Sequence, residues 1–210
     1  MQSMLQILDF LGVAVFCVSG ALVASRLRLD IVAFLFFGVF TGIGGGTLRD
    51  LLLDAPVFWV VDQAYLVVCI VISLLMWFLA GQVERLGSPL RWADAVGVAA
   101  YSVMGAAKTL SLADAPVVAV MMGVATATFG GIIRDTVAGQ PNALVKPEIY
   151  LTSAFAGAGV YVTLAVFGVP AWPAAIAGGC AALLLRGGAI QWGWSLPAYR
   201  PPSERTDRKP

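Results

Sequence analysis

Two matched stretches carry the residues that could do chemistry in this chain. The first reads Phe40-Thr41-Gly42-Ile43-Gly44-Gly45-Gly46-Thr47-Leu48-Arg49-Asp50. The second, 85 positions later, reads Ala125-Thr126-Ala127-Thr128-Phe129-Gly130-Gly131-Ile132-Ile133-Arg134-Asp135. Each is an apolar run that holds consecutive glycines, adds hydroxyls, and closes on an arginine and an aspartate. A glycine inside a helix costs about 1 kcal/mol against alanine, so tandem glycines at matching positions predict interrupted helices. Interrupted helices free backbone carbonyls, which suit a desolvated alkali cation. Thr41, Thr47, Thr126 and Thr128 add oxygens. The competing reading is close helix packing, through small-xxx-small patterns such as Gly38/Gly42, Gly42/Gly46 and Ala127/Gly131.

Other chemistry has little to stand on. The chain contains no histidine, the commonest general base and metal ligand. Cys17, Cys69 and Cys180 are widely spaced in apolar runs, without metal-ligand spacing. With no nucleophile–base pair and no metal cluster in view, the expectation is a non-enzyme that needs no cofactor or metal.

The elements that must position these residues are membrane spans. Of the 210 residues, 60% are hydrophobic and 12% charged, against about 25% charged in a typical soluble domain. Seven apolar segments are predicted, near 7–24, 31–48, 59–80, 93–110, 116–133, 149–168 and 171–190. The N-terminus has neither a basic leader nor a small-residue cleavage site, so no signal peptide is expected. A net charge of +1 gives no case for nucleic acid as a partner.

The chain is duplicated. An offset of 85 aligns residues 9–65 with 94–150 without a gap. It matches Asp9 with Asp94, Gly12 with Gly97, Gly20 with Gly105, Gly45 with Gly130, Arg49 with Arg134, Asp50 with Asp135, Pro56 with Pro141 and Tyr65 with Tyr150. Matching leucines would be expected of any two apolar sequences; matching glycine, proline, arginine and aspartate in one register is not. Three spans per repeat reverse the chain's direction, so the halves are predicted to be inverted about an axis in the membrane plane. The expected fold is an all-α membrane protein: residues 1–92 form the first three-span repeat, 93–168 the second, and 169–195 a seventh helix. Residues 196–210 form a disordered tail, and the second and fifth helices are broken.

The basic residues set an orientation. The exits of spans one, three, five and seven collect Arg26, Arg28, Arg85, Arg91, Arg134, Lys146 and the tail, leaving Arg49 and Lys108 opposite. The positive-inside rule then puts the C-terminus in the cytoplasm and the N-terminus outside. Trp192, Trp194 and Tyr199 form an interfacial belt.

The charged residues have two readings each. Neighbours on a helix do not face each other, so Arg49-Asp50 and Arg134-Asp135 either pair crosswise between repeats, Arg49 with Asp135 and Arg134 with Asp50, or anchor each helix at its own membrane face. Lys108 has Val23 as its counterpart. It is either an end anchor or a tethered cation that obstructs the path and senses voltage. Asp9 and Asp94 read as acidic groups favoured near helix N-termini.

The paired glycine-rich Arg-Asp motifs, the three-plus-three duplication and the extra span resemble the trimeric intracellular cation (TRIC) channels in their prokaryotic branch. The resemblance covers residues from about 7 to 190. It implies a homotrimer in the cell inner membrane, among lipids, with one pore per subunit passing K+ and also Na+. It assigns the pore kinks to Gly44, Gly45 and Gly46 with Gly130 and Gly131, lined also by Thr41 and Thr126, and the motif ends to Arg49, Asp50, Arg134 and Asp135. Lys108 matches a gating lysine. Phe129 replaces the glycine expected opposite Gly44, so the two pore halves need not be equivalent. The basic phosphoinositide motif of animal members has no good match. The same sequence domain is also associated with glycine transport, which supplies the alternative: a secondary transporter of a small zwitterion, for which inverted repeats are equally suited.

Overall fold

The computed structural model describes residues 2–141 and 149–197. Eight α-helices follow one another: α1 (Gln2–Arg26), α2 (Ile31–Leu52), a one-turn α3 (Phe58–Val61), α4 (Ala64–Val83), α5 (Pro89–Ala113), α6 (Pro116–Val137), α7 (Leu151–Val166) and α8 (Ala171–Trp192). Six of them (α1, α2, α4, α5, α6 and α8) are long and apolar enough to cross a membrane. The 16 residues of α7 rise about 24 Å, somewhat less than a hydrocarbon core. The seven expected spans thus correspond to these six helices and α7. Lys146, Tyr199 and the tail beyond residue 197 lie outside the described residues.

Local chemistry sets the boundaries. The Asp30 side chain caps α2 by accepting from the Ala33 amide at 2.8 Å. Prolines open α5 and α6, where a missing N–H costs nothing. The ends of α2 and α6 repeat bond for bond. Leu53 N–H donates to Arg49 O at 3.1 Å and Ala138 N–H to Arg134 O at 3.0 Å; Ala55 N–H donates to Asp50 O and Gln140 N–H to Asp135 O, both at 2.9 Å. Asp54 and Gly139, which the duplication aligns, both take positive φ there, at 51° and 63°. These are the left-handed turns that terminate helices.

The duplication is equally visible in the packing. α1 lies against α5 and α2 against α6, each element on its own counterpart. α4 covers α1 and α2 as α7 covers α5 and α6. α8, outside the duplication, packs on α5 and α7. At the centre the contacts are reciprocal. Gly12 of α1 makes room for the Tyr101 ring of α5, and Gly97 of α5 makes room for the Phe16 ring of α1. Those two rings meet with centroids 5.4 Å apart. Phe16 and Tyr101 are themselves counterparts, so their contact marks the pseudo-two-fold axis.

The expected interruptions do not appear at the glycines: α2 and α6 are each one continuous α-helix through Gly44–Gly46 and Gly130–Gly131. What the glycines provide is approach. A Cβ on Gly45 would collide with the Thr126 carbonyl, and one on Gly130 with the Thr41 carbonyl. Gly46 faces the Phe58 ring, and Gly131 the hydroxyl of Tyr150. Consecutive helical residues point about 100° apart, so tandem glycines serve two different neighbours at one level.

Candidate functional site

The chemistry-bearing residues gather in two buried clusters, one toward the C-terminal end of α2 and one toward that of α6. Because the helix pair is inverted, the clusters sit at opposite ends of the α2–α6 seam.

In the first cluster Arg49 is wholly buried, with Asp50 beside it. Arg49 Nε donates to Asp50 Oδ1 at 2.7 Å, and Nη1 reaches Asp9 Oδ1 of α1 at 3.4 Å. The guanidinium carbon lies 5.6 Å from the centroid of the Phe58 ring. Asp50 Oδ2 accepts the Phe58 backbone N–H at 2.9 Å, which ties the one-turn helix α3 to the end of α2. Lys108 of α5 donates from Nζ to Asp50 Oδ1 at 2.7 Å. Its side chain is 20% exposed, whereas that of Asp50 is closed to solvent.

The second cluster repeats the plan. Arg134 Nε donates to Asp135 Oδ1 at 2.7 Å, and Nη1 reaches Asp94 Oδ1 of α5 at 3.2 Å. Each arginine also crosses to the first helix of the other repeat, at positions that are themselves counterparts: Arg49 to the Met104 sulfur and Arg134 to the Ser19 hydroxyl. No counterpart of Lys108 faces Asp135, since Val23 stands there in the register. A cavity of about 370 Å³ opens on this cluster instead, bordered by Arg26, Arg91, Asp94, Arg134, Asp135 and Arg186. Arg26 is held at its exposed rim by Glu84 at 2.8 Å.

Several expectations are corrected here. Arg49 and Arg134 are not interfacial anchors, because their side chains are 0% and 6% exposed. Their carboxylate partners are not exchanged between repeats: each binds the aspartate next to it, by curling Nε back, and one aspartate 40 residues earlier in its own repeat. Asp9 and Asp94 are not solvated helix-start charges but buried partners of those arginines. Burial forces this arrangement, since a charge removed from water must be paired.

Lys108 joins the cluster from the second repeat to the first, which the sequence left open. The threonine side chains of the motifs meet other neighbours: Thr41 lies against Gly20 of α1 and Thr126 against Gly105 of α5, and Thr47 accepts from Trp59 Nε1 at 2.9 Å. Thr47, Thr126 and Thr128 each donate to the carbonyl four residues earlier, at 2.8, 2.6 and 2.9 Å. The buried Thr41 hydroxyl and Arg49 Nη2 have no hydrogen-bond partner among the described residues. Trp192 and Trp194 stack at 5.3 Å on the surface, as an interfacial pair would.

Arg186 of α8 went unnoticed in the sequence, although a single arginine within an apolar span is itself a signal. It is 3% exposed. Nη1 donates to Ile149 O at 3.4 Å, and its guanidinium carbon lies 5.1 Å from the centroid of the Tyr150 ring.

A protein-family model described as "Glycine transporter" matches the chain twice, over residues 6–81 and 91–166. The two matches are themselves 85 positions apart. The UPF0126 inner membrane protein YadS of Escherichia coli (strain K12) is 43% identical over 195 residues, covering 91% of this chain and 94% of that protein. Among solved structures, the TRIC trimeric intracellular cation channel orthologue from Rhodobacter sphaeroides is similar with a TM-score of 0.87 at 44% identity, over 90% of this chain and 98% of that one. A second, solved to explain conductance through TRIC cation channels, gives 0.83 at 30% identity, over 93% and 97%.

Proposed function

Because the chain belongs to the family of the trimeric intracellular cation (TRIC) channels, we propose that this multi-pass membrane protein is itself a cation channel. Its preferred ion is K+, with Na+ also passing, and each subunit of a homotrimer carries its own pore along the α2–α6 seam. Thr41, Gly44, Gly45, Gly46, Thr126, Gly130 and Gly131 line the path.

The observation that carries this reading is the pair of matched ionic clusters at the two ends of one seam. Buried charge is expensive in a bilayer and is kept where it lines a path. At each end two aspartates face one arginine, so the cluster attracts a cation unless another positive charge fills the place. At the Asp50 end Lys108 fills it, within 2.7 Å, as a tethered ammonium that a permeant K+ would replace. The buried Thr41 hydroxyl, without a hydrogen-bond partner among the described residues, offers an oxygen between the clusters. The basic residues at the Asp135 end support a cytoplasmic location for that mouth and the C-terminus, with the N-terminus outside.

The test is single-channel recording of the purified protein in planar bilayers under a K+ gradient without organic solute. Unitary currents that reverse near the K+ equilibrium potential are expected. The second reading, a glycine transporter, is favoured by the description of the matching family model. Electrical silence together with uptake of radiolabelled glycine into liposomes would establish that reading and end the first.

A further inference from the structure

We infer that Arg186, on the helix outside the duplication, is the functional counterpart of Lys108: it supplies the Asp94–Arg134–Asp135 cluster with the positive charge that Lys108 supplies to Asp9–Arg49–Asp50, and so gates the opposite mouth. The inference rests on the channel reading above and assigns the second gate of that same path.

Charge balance makes the case. The first cluster holds two carboxylates, Asp9 and Asp50, and two cations, Arg49 and Lys108. The second holds Asp94 and Asp135 but takes only Arg134 from the duplicated helices. The duplication puts Val23 at the place of Lys108, 1% exposed in an apolar cluster with Phe37 and Met76. A buried carboxylate left without compensation is strongly destabilising, so the charge must come from elsewhere.

Among the described residues, three cations border the cavity besides Arg134. Arg26 is exposed and engaged by Glu84. Arg91 is exposed and bonded to Ser88 Oγ at 3.1 Å. Arg186 alone of the three is buried, and it borders the same cavity as Asp94, Arg134 and Asp135. Its other contacts explain how it is held there. Tyr150 supplies a ring face and Ile149 a carbonyl, both just before α7. Tyr150 in turn lies against Gly131 of the second motif, where Asp94 and Arg134 also converge. Arg186 is therefore coupled to the glycine motif of α6 through one aromatic ring.

Position gives the inference its distinctive consequence. α5 ends at the mouth opposite to the one where α8 ends, so Lys108 and Arg186 approach the path from opposite sides of the membrane. A voltage that drives one cation into its cluster draws the other out. Neutralising them must shift voltage dependence in opposite directions.

The experiment records wild type, R186Q, R186K and K108Q in planar bilayers at both polarities. R186Q is expected to raise the open-to-closed ratio most at the polarity where K108Q raises it least. If the guanidinium crosses about a third of the field, the lost voltage sensitivity is about 4-fold per 100 mV. R186K, which keeps the charge, is expected to restore the wild-type polarity. Wild-type voltage dependence in R186Q, a shift of the same sign as K108Q, or an R186K as defective as R186Q overturns the inference while leaving the channel intact. A silent wild type removes the channel reading, and the inference with it. Should R186Q fail to assemble, Y150L takes its place: it keeps every charge but removes the ring that holds Arg186. Y150L is expected to shift open probability in the R186Q direction, and unchanged gating in it overturns the assignment.

Discussion

Replacing Lys108 by alanine is the sharpest test of what the first cluster does. Asp50 receives three donors: Arg49 Nε at 2.7 Å, the Phe58 amide at 2.9 Å and Lys108 Nζ at 2.7 Å. The first two come from the same α2–α3 segment and hold the carboxylate in place. Of the three, only Lys108 comes from the other repeat, so on the channel reading its bond to Asp50 is the one that must break for the mouth to open. A hydrogen bond to a charged partner contributes about 1.5–3 kcal/mol. The lysine side chain is one-fifth exposed, and solvent screening reduces that toward about 1–2 kcal/mol. Losing it should raise the open-to-closed ratio about 5- to 30-fold, and should flatten the voltage dependence because a charge has left the field. Single-channel open probability, measured against voltage in bilayers, reads both quantities. K108R serves as the control, since it keeps the charge but exchanges a compact ammonium for a planar fork. A well-assembled K108A with the wild-type open probability and slope would refute the reasoning, and Lys108 would be left as a structural tie.

Two further outcomes test the architecture. In a double-mutant cycle read by thermal unfolding in detergent, R49L and D9N should couple by at least about 1 kcal/mol, while R49L and D135N should add independently; coupling of the second pair and not the first would restore the exchanged pairing between repeats. G45A should destabilise by about 1–3 kcal/mol or more, because its Cβ meets the Thr126 carbonyl and backbone cannot yield as a side chain can. G81A, whose Cβ meets nothing within 4 Å on α4, should be neutral or stabilising by up to about 1 kcal/mol, and equal melting of the two variants would show that the crossing is not close-packed.

The span count, the duplication and the identity of the motif residues were legible in the sequence because each has a signature that composition cannot mimic. Apolar runs of the right length announce spans. Arg49 and Arg134, or Pro56 and Pro141, in one register announce a repeat. Side-chain partners were less accessible. The rule that adjacent helical residues do not face each other holds for short side chains, but an arginine is long enough to bring Nε back to the next carboxylate, as Arg49 does to Asp50. Asp9 looked like a helix-start charge because α1 was placed from residue 7, while the helix begins at Gln2 and buries Asp9 in its second turn. The tandem glycines suggested interruption because propensity is a statement about isolated helices. Tertiary packing overrides it where one level of a helix must meet two neighbours, as Gly45 meets α6 and Gly46 meets the Phe58 ring.

An inverted duplication makes every departure from symmetry informative, because each conserved contact shows what the departing residue would otherwise have done. Most contacts here keep the symmetry: Phe16 with Tyr101, Gly45 with Gly130, and the two arginines each with an aspartate 40 residues before it. The departures concentrate at the mouths. On the channel reading, one is closed by Lys108, a flexible, compact ammonium that retains partial contact with solvent. At the other mouth Arg186, on a helix with no counterpart, brings a buried planar cation seated on Tyr150. A guanidinium stacked on a ring and bonded to a carbonyl gives up those contacts when it moves, whereas an ammonium exchanges a carboxylate for water. The Lys108 mouth should therefore open more readily than the Arg186 mouth. On the channel reading, such a protein should conduct unequally in the two directions, and neutralising the harder gate should reduce that inequality more than neutralising the softer one. Current–voltage curves of R186Q and K108A in symmetric K+ compare the two directly. Equal loss of rectification in both would mean that the two mouths are energetically alike, despite the different residues that close them.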